Sequence, residues 1–159
     1  MAKAYKPLPA AEELWQLFSL DPFTGDLYRL HPRNEAETLA SRSSGDGYKR
    51  VRIGRTKFKA HRLVWAWVHG ADPKHLDVDH VKGKHAGNAP WNLRLATRAQ
   101  NTGNQASRGW DYDARSGKYQ ARIRHNYRCI SLGSYKTPEE AAAAYKKAAL
   151  ELRGEFAKV

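Results

Sequence analysis

The sequence predicts an α+β protein in two parts, and three observations carry that prediction. Polar and apolar residues alternate in 48–53 and 118–124, as they do in strands with one covered face. Apolar residues recur at helical spacing in 61–69 and 138–153. The single cysteine, Cys129, excludes an internal disulfide, so the chain of 159 residues must hold itself together by packing.

The first predicted domain covers residues 1–107. In chain order we predict a helix over Glu12–Leu20, a strand over 27–30, a polar surface loop over 31–46, a hairpin of strands 48–53 and 56–60, and a helix over His61–His69. One face of the hairpin is basic, with Arg50, Arg52, Lys57 and Lys59. Such a face suits a phosphate backbone, and it equally suits plain solvent.

The most informative stretch is Asp77–Asn104. Val78 and Val81 bracket the pair Asp79-His80, which indicates a short strand, and turn residues from 83 to 90 indicate a loop. A second strand is predicted over 93–96, and Thr97 can cap a helix over 98–105 that carries Asn101. The order strand, loop, strand, helix can bring an acid, an imidazole and a carboxamide to one point.

That grouping has a chemical use. Asp79 offers a carboxylate oxygen and Asn101 an amide oxygen, and both ligands suit magnesium. Magnesium held by so few protein oxygens keeps positions for water and phosphate. His80 can take a proton from water near neutral pH. A metal-bound phosphate beside a base describes phosphodiester hydrolysis.

His80, Asn92 and Asn101, with Asp79 ahead of them, resemble the HNH nuclease family in its histidine-asparagine-asparagine variant. The segments LFSLDPFTGDLYRL and KAHRLVWAWVHG resemble its bacteriophage and homing-endonuclease branch, so the likeness covers most of 12–105. It implies a ββα-metal core in which His80 is the general base and Asp79 and Asn101 bind Mg²⁺, with Mn²⁺ as an alternative.

The same resemblance assigns supporting roles. Asn92, the second residue of the catalytic motif, would pin the loop to the strand through hydrogen bonds rather than react. His61 matches the first histidine of the family's His-Arg-Leu unit and is expected to be structural and hydrogen-bonded. His85 is expected to be solvated or to face a phosphate.

The charge of the chain points to a polyanion. The formal net charge is +12, and it is unevenly distributed: −2 over 1–47, +9 over 48–107 and +5 over 108–159. Affinity for nucleic acid should therefore fall steeply with salt. In the first domain we expect DNA contacts from basic side chains of the hairpin and the central stretch, namely Arg50, Arg52, Lys82, Lys84, Arg94 and Arg98.

The second predicted domain covers residues 108–159 and is a small three-stranded antiparallel sheet packed by one helix. Strands are predicted near 110–112, over 118–124 and over 128–135, with a turn at His125-Asn126. Thr137-Pro138-Glu139-Glu140 forms a capping box that starts a helix ending before Gly154. Alanines on that helix let it lie close on the sheet, which leaves the basic sheet face uncovered and fit for a DNA major groove.

This second domain resembles the DNA-binding domain of the APETALA2/ethylene-response-factor family. The matching pieces are Gly109-Trp110, Gly117-Lys118-Tyr119, Ala121-Arg122-Ile123-Arg124, Leu132-Gly133-Ser134-Tyr135, the capping box with Ala141-Ala142, and Gly154-Glu155-Phe156-Ala157. Asp111, Asp113 and Ser131 depart from the plant pattern, so the plant target sequence does not transfer. By position, the resemblance implies DNA contacts from Arg122 and Arg124 and, less directly, from Arg108, Arg115 and Arg128.

These patterns together predict a metal-dependent DNA endonuclease of bacteriophage or mobile-intron type, of nicking or homing kind, targeted to double-stranded DNA by its second domain. A non-catalytic DNA-binding regulator on a nuclease scaffold is the alternative, and an RNA-binding structural protein is disfavoured by the groove-reading domain. The chain shows no signal peptide and no long apolar run. We therefore expect a protein of the bacterial cytoplasm without a membrane partner, acting as a monomer or weak dimer.

Overall fold

The computed structural model describes residues 5–31, 38–103 and 107–157, and in that part of the chain helices and strands alternate. The helices are α1 (Ala11–Leu17), α2 (Ala60–His69), α3 (Arg98–Gly103) and α4 (Pro138–Arg153). The strands are β1 (Phe18–Leu20), β2 (Leu27–Arg29), β3 (Thr38–Leu39), β4 (Ser41–Ser43), β5 (Lys49–Ile53), β6 (Thr56–Lys59), β7 (Asp77–His80), β8 (Leu93–Ala96), β9 (Trp110–Asp113), β10 (Lys118–His125) and β11 (Arg128–Tyr135). Three 3₁₀ turns, over Lys84–Ala86, Pro90–Asn92 and Gly154–Phe156, complete the described elements.

The chain divides into two compact units, 1–95 and 96–159. The boundary lies upstream of the predicted domain limit at 107/108 because α3 contacts β10 and the 3₁₀ turn at Gly154–Phe156. The domain limits predicted from the sequence stay a prediction.

The first unit is built from small sheets around α2. β1, β2 and β3 form one antiparallel sheet, β4, β5 and β6 form a second, and β7 pairs with β8. Leu14 of α1, Val51 of β5 and Leu63 and Val64 of α2 are almost fully buried in one apolar core. Each buried apolar side chain of this size contributes about 1.5–3 kcal/mol relative to an exposed one, so the core fixes where β7 lies.

Two predicted elements of the first unit are wrong. The helix predicted over Glu12–Leu20 ends at Leu17, because Phe18–Leu20 pair with β2 as a strand. The polar segment 31–46 is not a plain loop, since it contains β3, paired with β2, and β4, paired with β5. Part of that segment, residues 32–37, lies outside the described residues. The predicted hairpin and the helix over 61–69 are present as β5, β6 and α2.

The second unit is the predicted three-stranded antiparallel sheet, in the order β11-β10-β9, with α4 packed on it. The buried face holds Ile123 of β10 with Tyr145, Ala148 and Ala149 of α4. A β-bulge interrupts the hairpin, because Ala121 pairs with Gly133 and Arg122 pairs with Ser131, which leaves Leu132 as an extra residue.

The ends of α4 follow from its sequence. The Thr137 hydroxyl accepts a hydrogen bond from the backbone N–H of Glu140, and the Glu140 carboxylate accepts one from the backbone N–H of Thr137. This reciprocal arrangement is the predicted capping box. It provides acceptors for backbone N–H groups that have no hydrogen-bond partner within the first helical turn. The helix predicted over 98–105 is described as α3 over Arg98–Gly103, and residues 104–106 lie outside the described part.

None of the helices in the described part of the chain has both the length and the apolar character that crossing a bilayer requires.

Candidate active site

The Asp79-His80 pair lies at the end of β7, where the strand passes into the loop that leads to β8. Both residues are buried, with exposed fractions of 8% and 6%. The backbone N–H of Val81 donates to the carbonyl of Asn92 at 2.8 Å, which closes the loop at its base. The predicted strand–loop–strand order is therefore present.

Asn92 holds the loop in shape. Its side chain is fully buried, and its Oδ1 accepts from the backbone N–H of Lys82 at 2.8 Å. Its Nδ2 donates to the carbonyls of Gly83 and Gly87, at 3.3 and 2.8 Å. These are the pinning hydrogen bonds expected of Asn92, and each net bond to a buried amide is worth about 1 kcal/mol.

The His80 ring is surrounded by polar and aromatic groups. Its Nε2 lies 2.9 Å from Oδ1 of Asn88, which is itself buried. The His61 ring meets His80 edge to face with 4.9 Å between ring centroids, and the Tyr48 ring lies 6.3 Å away. His61 is thus part of the wall of the site, where the sequence assigned it only a structural role.

Burial holds the pKa of His61 well below its usual value, and the neighbouring His80 adds to that effect. Desolvation penalises the charged imidazolium, and a second imidazole nearby disfavours another positive charge. His61 is consequently neutral near pH 7.

Asp79 is paired with an arginine of the neighbouring strand. The Nε and Nη2 atoms of Arg94 both donate to Oδ2 of Asp79, each at 3.1 Å. The two side chains are 15% and 9% exposed, so the ion pair is largely shielded from water. Arg94 was predicted to contact DNA, and the structure places its guanidinium on the carboxylate of the site.

Asn101, the other predicted metal ligand, lies on α3 in the second unit. Its placement relative to Asp79 stays a prediction. Among the described residues no group of three or more His, Cys, Asp or Glu side chains is arranged to hold a metal ion.

Comparison with known protein families finds a match to the segment that contains the Asp79-His80 pair. Residues 58–102, which include β7, the loop and β8, match the family model of the HNH endonucleases. This segment of the chain is therefore similar to the HNH endonucleases. The match agrees, over these residues, with the resemblance to the HNH nucleases noted in the sequence.

Two proteins with similar sequences carry the same family name. An uncharacterized HNH endonuclease of Acanthamoeba polyphaga mimivirus is 32% identical over 105 residues, which is 64% of this chain and 56% of that protein. The HNH homing endonuclease I-HmuI, solved in a study of its DNA binding and cleavage, is 30% identical with a TM-score of 0.48. That match covers 67% of this chain and 60% of the I-HmuI chain. The chain thus spans a little over half the length of both proteins it matches.

The sheet β4-β5-β6 of the first unit presents a strongly basic face. Cross-strand neighbours carry like charges, since Arg42 pairs with Arg50, Arg50 with Lys59, and Arg52 with Lys57. Like charges directly opposite one another destabilise a sheet. The carboxylate of Asp46 offsets part of this charge through an ion pair with Arg50.

A groove of about 530 Å³ runs along this sheet. Five basic residues line it: Arg29, Arg42, Arg50, Arg52 and Lys57. The Nε of Arg50 is buried without a hydrogen-bond partner, and Nη2 of Arg29 donates to the carbonyl of Arg52 at 2.7 Å. Arg50 and Arg52, two predicted DNA contacts, are therefore brought together with two arginines that the sequence reading left out.

The lysines of the loop between β7 and β8 lie on aromatic rings. Lys82 Nζ is 5.1 Å from the ring centroid of the exposed Trp91. Lys84 Nζ is 5.4 Å from the centroid of Tyr48 and donates to the carbonyl of Asp46 at 3.0 Å. His85 is exposed, in keeping with the solvated role expected for it.

The basic residues predicted to contact DNA in the second unit are exposed, but one carboxylate engages two of them. Asp111 accepts from Arg122 at 2.5 Å and from Arg108 at 3.2 Å. These arginines, Arg122 first, hold the pKa of Asp111 below its usual value. Four further residues with this predicted role, Arg98, Arg115, Arg124 and Arg128, are likewise exposed.

Two residues near the His80 ring had no such role in the sequence predictions: Asn88, whose Oδ1 lies 2.9 Å from Nε2 of His80, and Gly25, which packs closely against the backbone of Asn88. Asn88 reads as a turn former, and Gly25 reads as part of a turn remote from the catalytic stretch. The signal that could have exposed Asn88 is its position in the loop between two motif residues, eight residues after His80. For Gly25 the sequence offers no such signal.

Proposed function

We propose that this protein is a metal-dependent DNA endonuclease that hydrolyses phosphodiester bonds, of the nicking or homing kind. The observation that carries the proposal is the buried Asp79-His80 pair at the end of β7, under a loop pinned by Asn92, inside the segment that matches the HNH endonucleases. That pairing of a hard oxygen ligand and an imidazole is what phosphate hydrolysis with a metal requires.

The residues present fit a magnesium ion. Asp79 supplies a carboxylate oxygen and Asn101 would supply an amide oxygen, with Mn²⁺ as an alternative ion. The carboxylate of Asp79 is largely buried and already engages Arg94, so a bound ion would share this carboxylate with the guanidinium. A bound Mg²⁺ would supply Lewis-acid stabilisation of the charge that develops on the phosphate.

The protein residues then have separate tasks. His80 takes the proton of the attacking water as general base. Asn92 keeps the loop closed, so His80 keeps its position relative to β7. His61 stays neutral beside His80 and excludes water from that side of the ring. The family resemblance implies products with 5′-phosphate and 3′-hydroxyl ends.

Double-stranded DNA is the partner that the charged surfaces favour. The groove on β4-β5-β6 and the exposed arginines of the β9–β11 sheet are both suited to phosphates. The resemblance to the APETALA2/ethylene-response-factor domain supports a targeting role for 108–159. Release of counterions from DNA would make the affinity fall steeply with salt.

A plasmid-nicking assay tests the proposal. Supercoiled plasmid DNA is incubated with the full chain in Mg²⁺, in Mn²⁺ and in excess EDTA. We expect conversion to open-circular or linear DNA with either metal and none with EDTA. Conversion that persists in EDTA would refute the metal dependence, and intact plasmid under every condition would refute the nuclease.

One observation favours a second candidate. The carboxylate of Asp79 is already neutralised by Arg94, as it would be in a scaffold that has lost its metal. A non-catalytic DNA-binding regulator would shift the mobility of duplex DNA in gels, with the same affinity whether Mg²⁺ or EDTA is present, and would leave the plasmid supercoiled.

A further inference from the structure

We propose that Asn88 is a positioning residue for His80, and that the turn over Asp21–Asp26 holds Asn88 in place. The inference rests on the proposed function, in which His80 is the general base. It concerns Asn88 and Gly25, which both lie outside the histidine-asparagine-asparagine motif.

The hydrogen bond between Asn88 and His80 has a direction. The Oδ1 of a carboxamide can only accept, so the Nε2 of His80, 2.9 Å away, must carry the hydrogen. In a neutral imidazole the other ring nitrogen, Nδ1, then holds the basic lone pair. Asn88 therefore selects the tautomer in which Nδ1 is the atom that accepts a proton.

Burial gives this selection its strength. Both side chains are less than 10% exposed, at 6% for His80 and 7% for Asn88, so water does not compete well for either partner. Rotating the ring or changing its tautomer would leave a buried oxygen of Asn88 without its donor, which is costly. The ring is also confined by the edge of His61.

Asn88 is itself fixed by a turn that is distant in sequence. Its backbone N–H donates to the carbonyl of Thr24 at 3.3 Å. Gly25 packs against it so closely that a methyl group at Gly25 would lie 2.1 Å from the carbonyl carbon and oxygen of Asn88. Only glycine allows this approach, and its φ of +71° is also a conformation that glycine adopts readily.

The turn that carries Gly25 is tightly hydrogen-bonded. The Asp21 carboxylate accepts from the backbone N–H of Phe23 and from the hydroxyl of Thr24, both at 2.8 Å. The backbone N–H of Gly25 donates to the carbonyl of Asp21 at 2.8 Å. A rigid turn thus supports Asn88, and Asn88 supports His80.

The first test changes the acceptor at position 88. Asn88→Leu has a similar size but no acceptor, and Asn88→Asp keeps an acceptor oxygen at the same reach. Single-turnover nicking of supercoiled plasmid in saturating Mg²⁺ measures the chemical step, and gel mobility of the same DNA in EDTA measures binding. We expect a rate about 10- to 100-fold lower for Asn88→Leu, with binding within twofold of wild type, and recovery to within about threefold for Asn88→Asp.

The second test disturbs the turn that holds Asn88 in place and leaves Asn88 itself unchanged. Gly25→Ala introduces the collision with the Asn88 backbone. Gly70→Ala is its matched control, because Gly70 has a similar φ of +65° and no atom within 4 Å of the added methyl group. Both variants carry the cost of a left-handed alanine, so only Gly25→Ala should lower the nicking rate beyond what its melting temperature explains.

The tautomer gives a readout that does not depend on cleavage. Nitrogen-15 spectra of histidine-labelled protein without metal, under mildly alkaline conditions, should show the His80 ring with its hydrogen on Nε2, assigned by comparison with His80→Gln. Asn88→Leu should change that signal, and Asn88→Asp should preserve it.

The outcomes separate cleanly. A hydrogen on Nδ1 in the wild-type protein, or an Asn88→Leu variant that nicks at the wild-type rate, overturns the role of Asn88. If the wild-type protein leaves plasmid intact, the proposed function fails by itself, and the tautomer spectra still decide whether Asn88 sets the His80 ring. A poorly folded Asn88→Leu leaves the decision to the wild-type spectrum and to the comparison of Gly25→Ala with Gly70→Ala.

Discussion

Acidification should destabilise the first unit through His61. This ring is buried, 3% exposed, among His80, Tyr48 and the start of α2. Burial, followed by the charges of His80, Lys59 and Arg62, lowers its pKa well below the usual 6.5. In the unfolded chain the same imidazole binds a proton at its ordinary pKa, so the unfolded state binds more protons as the pH falls.

The direction and size of this effect on the free energy of unfolding follow from the linkage between proton binding and folding. Well above pH 6.5 the His61 ring is neutral in both states and has no effect on the pH dependence. Between that pH and the lowered pKa of the folded state, the free energy of unfolding should fall by about 1.4 kcal/mol per pH unit. Asp21 and Asp46 have lowered pKa values, caused first by hydrogen bonds from Thr24 and Tyr48. Their contribution is lost only below their usual value of 3.8, outside this window.

Urea unfolding at pH 7.5, 6.5 and 5.5, followed by tryptophan fluorescence, measures the effect. His61→Phe keeps a ring against His80 and removes the titrating group, so its stability should depend on pH less steeply by up to about 1.4 kcal/mol per unit. His85→Gln, a change at an exposed histidine, is the matched control and should follow the wild type. Parallel pH profiles for wild type and His61→Phe would refute the reasoning.

Three further changes test other parts of the molecule. His80→Ala should lower plasmid nicking at least about 100-fold while gel mobility shifts keep the same midpoint, because it removes the base and no surface charge; a parallel loss of binding would contradict that role. Thr137→Ala should lower the stability of the second unit by about 1 kcal/mol in thermal melting, since it removes one half of the capping box. An unchanged melting curve would argue against a stabilising role for this cap. Arg52→Ala should reduce the slope of log affinity against log salt by about 1, whereas Lys146→Ala on α4 should leave it unchanged; equal slopes for both variants would exclude the basic groove as a phosphate contact.

The sequence was sufficient where one local pattern determined the structure. The alternation in 48–53, the Asp79-His80 strand and the Thr137 capping box appear as predicted, because periodicity and cap chemistry are properties of neighbouring residues. It failed at Phe18–Leu20, where helical spacing continues but pairing with β2 provides strand hydrogen bonds. It also failed at 38–43, whose short polar strands exist only because β2 and β5 offer free edges.

The candidate site shows the same division. Asp79, His80 and Asn92 could be identified because their spacing resembles a known motif. Gly25 and the Arg94 pairing with Asp79 could not, because each depends on a contact between segments that are far apart in sequence or on opposite strands. Asn88 lies only eight residues after His80, but the turn that holds it against the ring is distant in sequence. Such contacts arise from tertiary packing, and no periodicity in a single sequence encodes them.

The bulge in the β10–β11 hairpin has a consequence for how this hairpin can change length. Leu132 is the one residue of β11 that has no partner across the ladder between Ser131 and Gly133. A chain lacking it would keep every other pairing, including Arg122 with Ser131 and Gln120 with Ser134. It would lose the packing of Leu132 on the Ile123 cluster and the hydrogen bond that the Tyr135 hydroxyl donates to the Leu132 carbonyl. A deletion at any other point of β11 would turn the following side chains to the opposite face. Single-residue shortening of this ribbon is therefore tolerable at that one position, where it would straighten the strand.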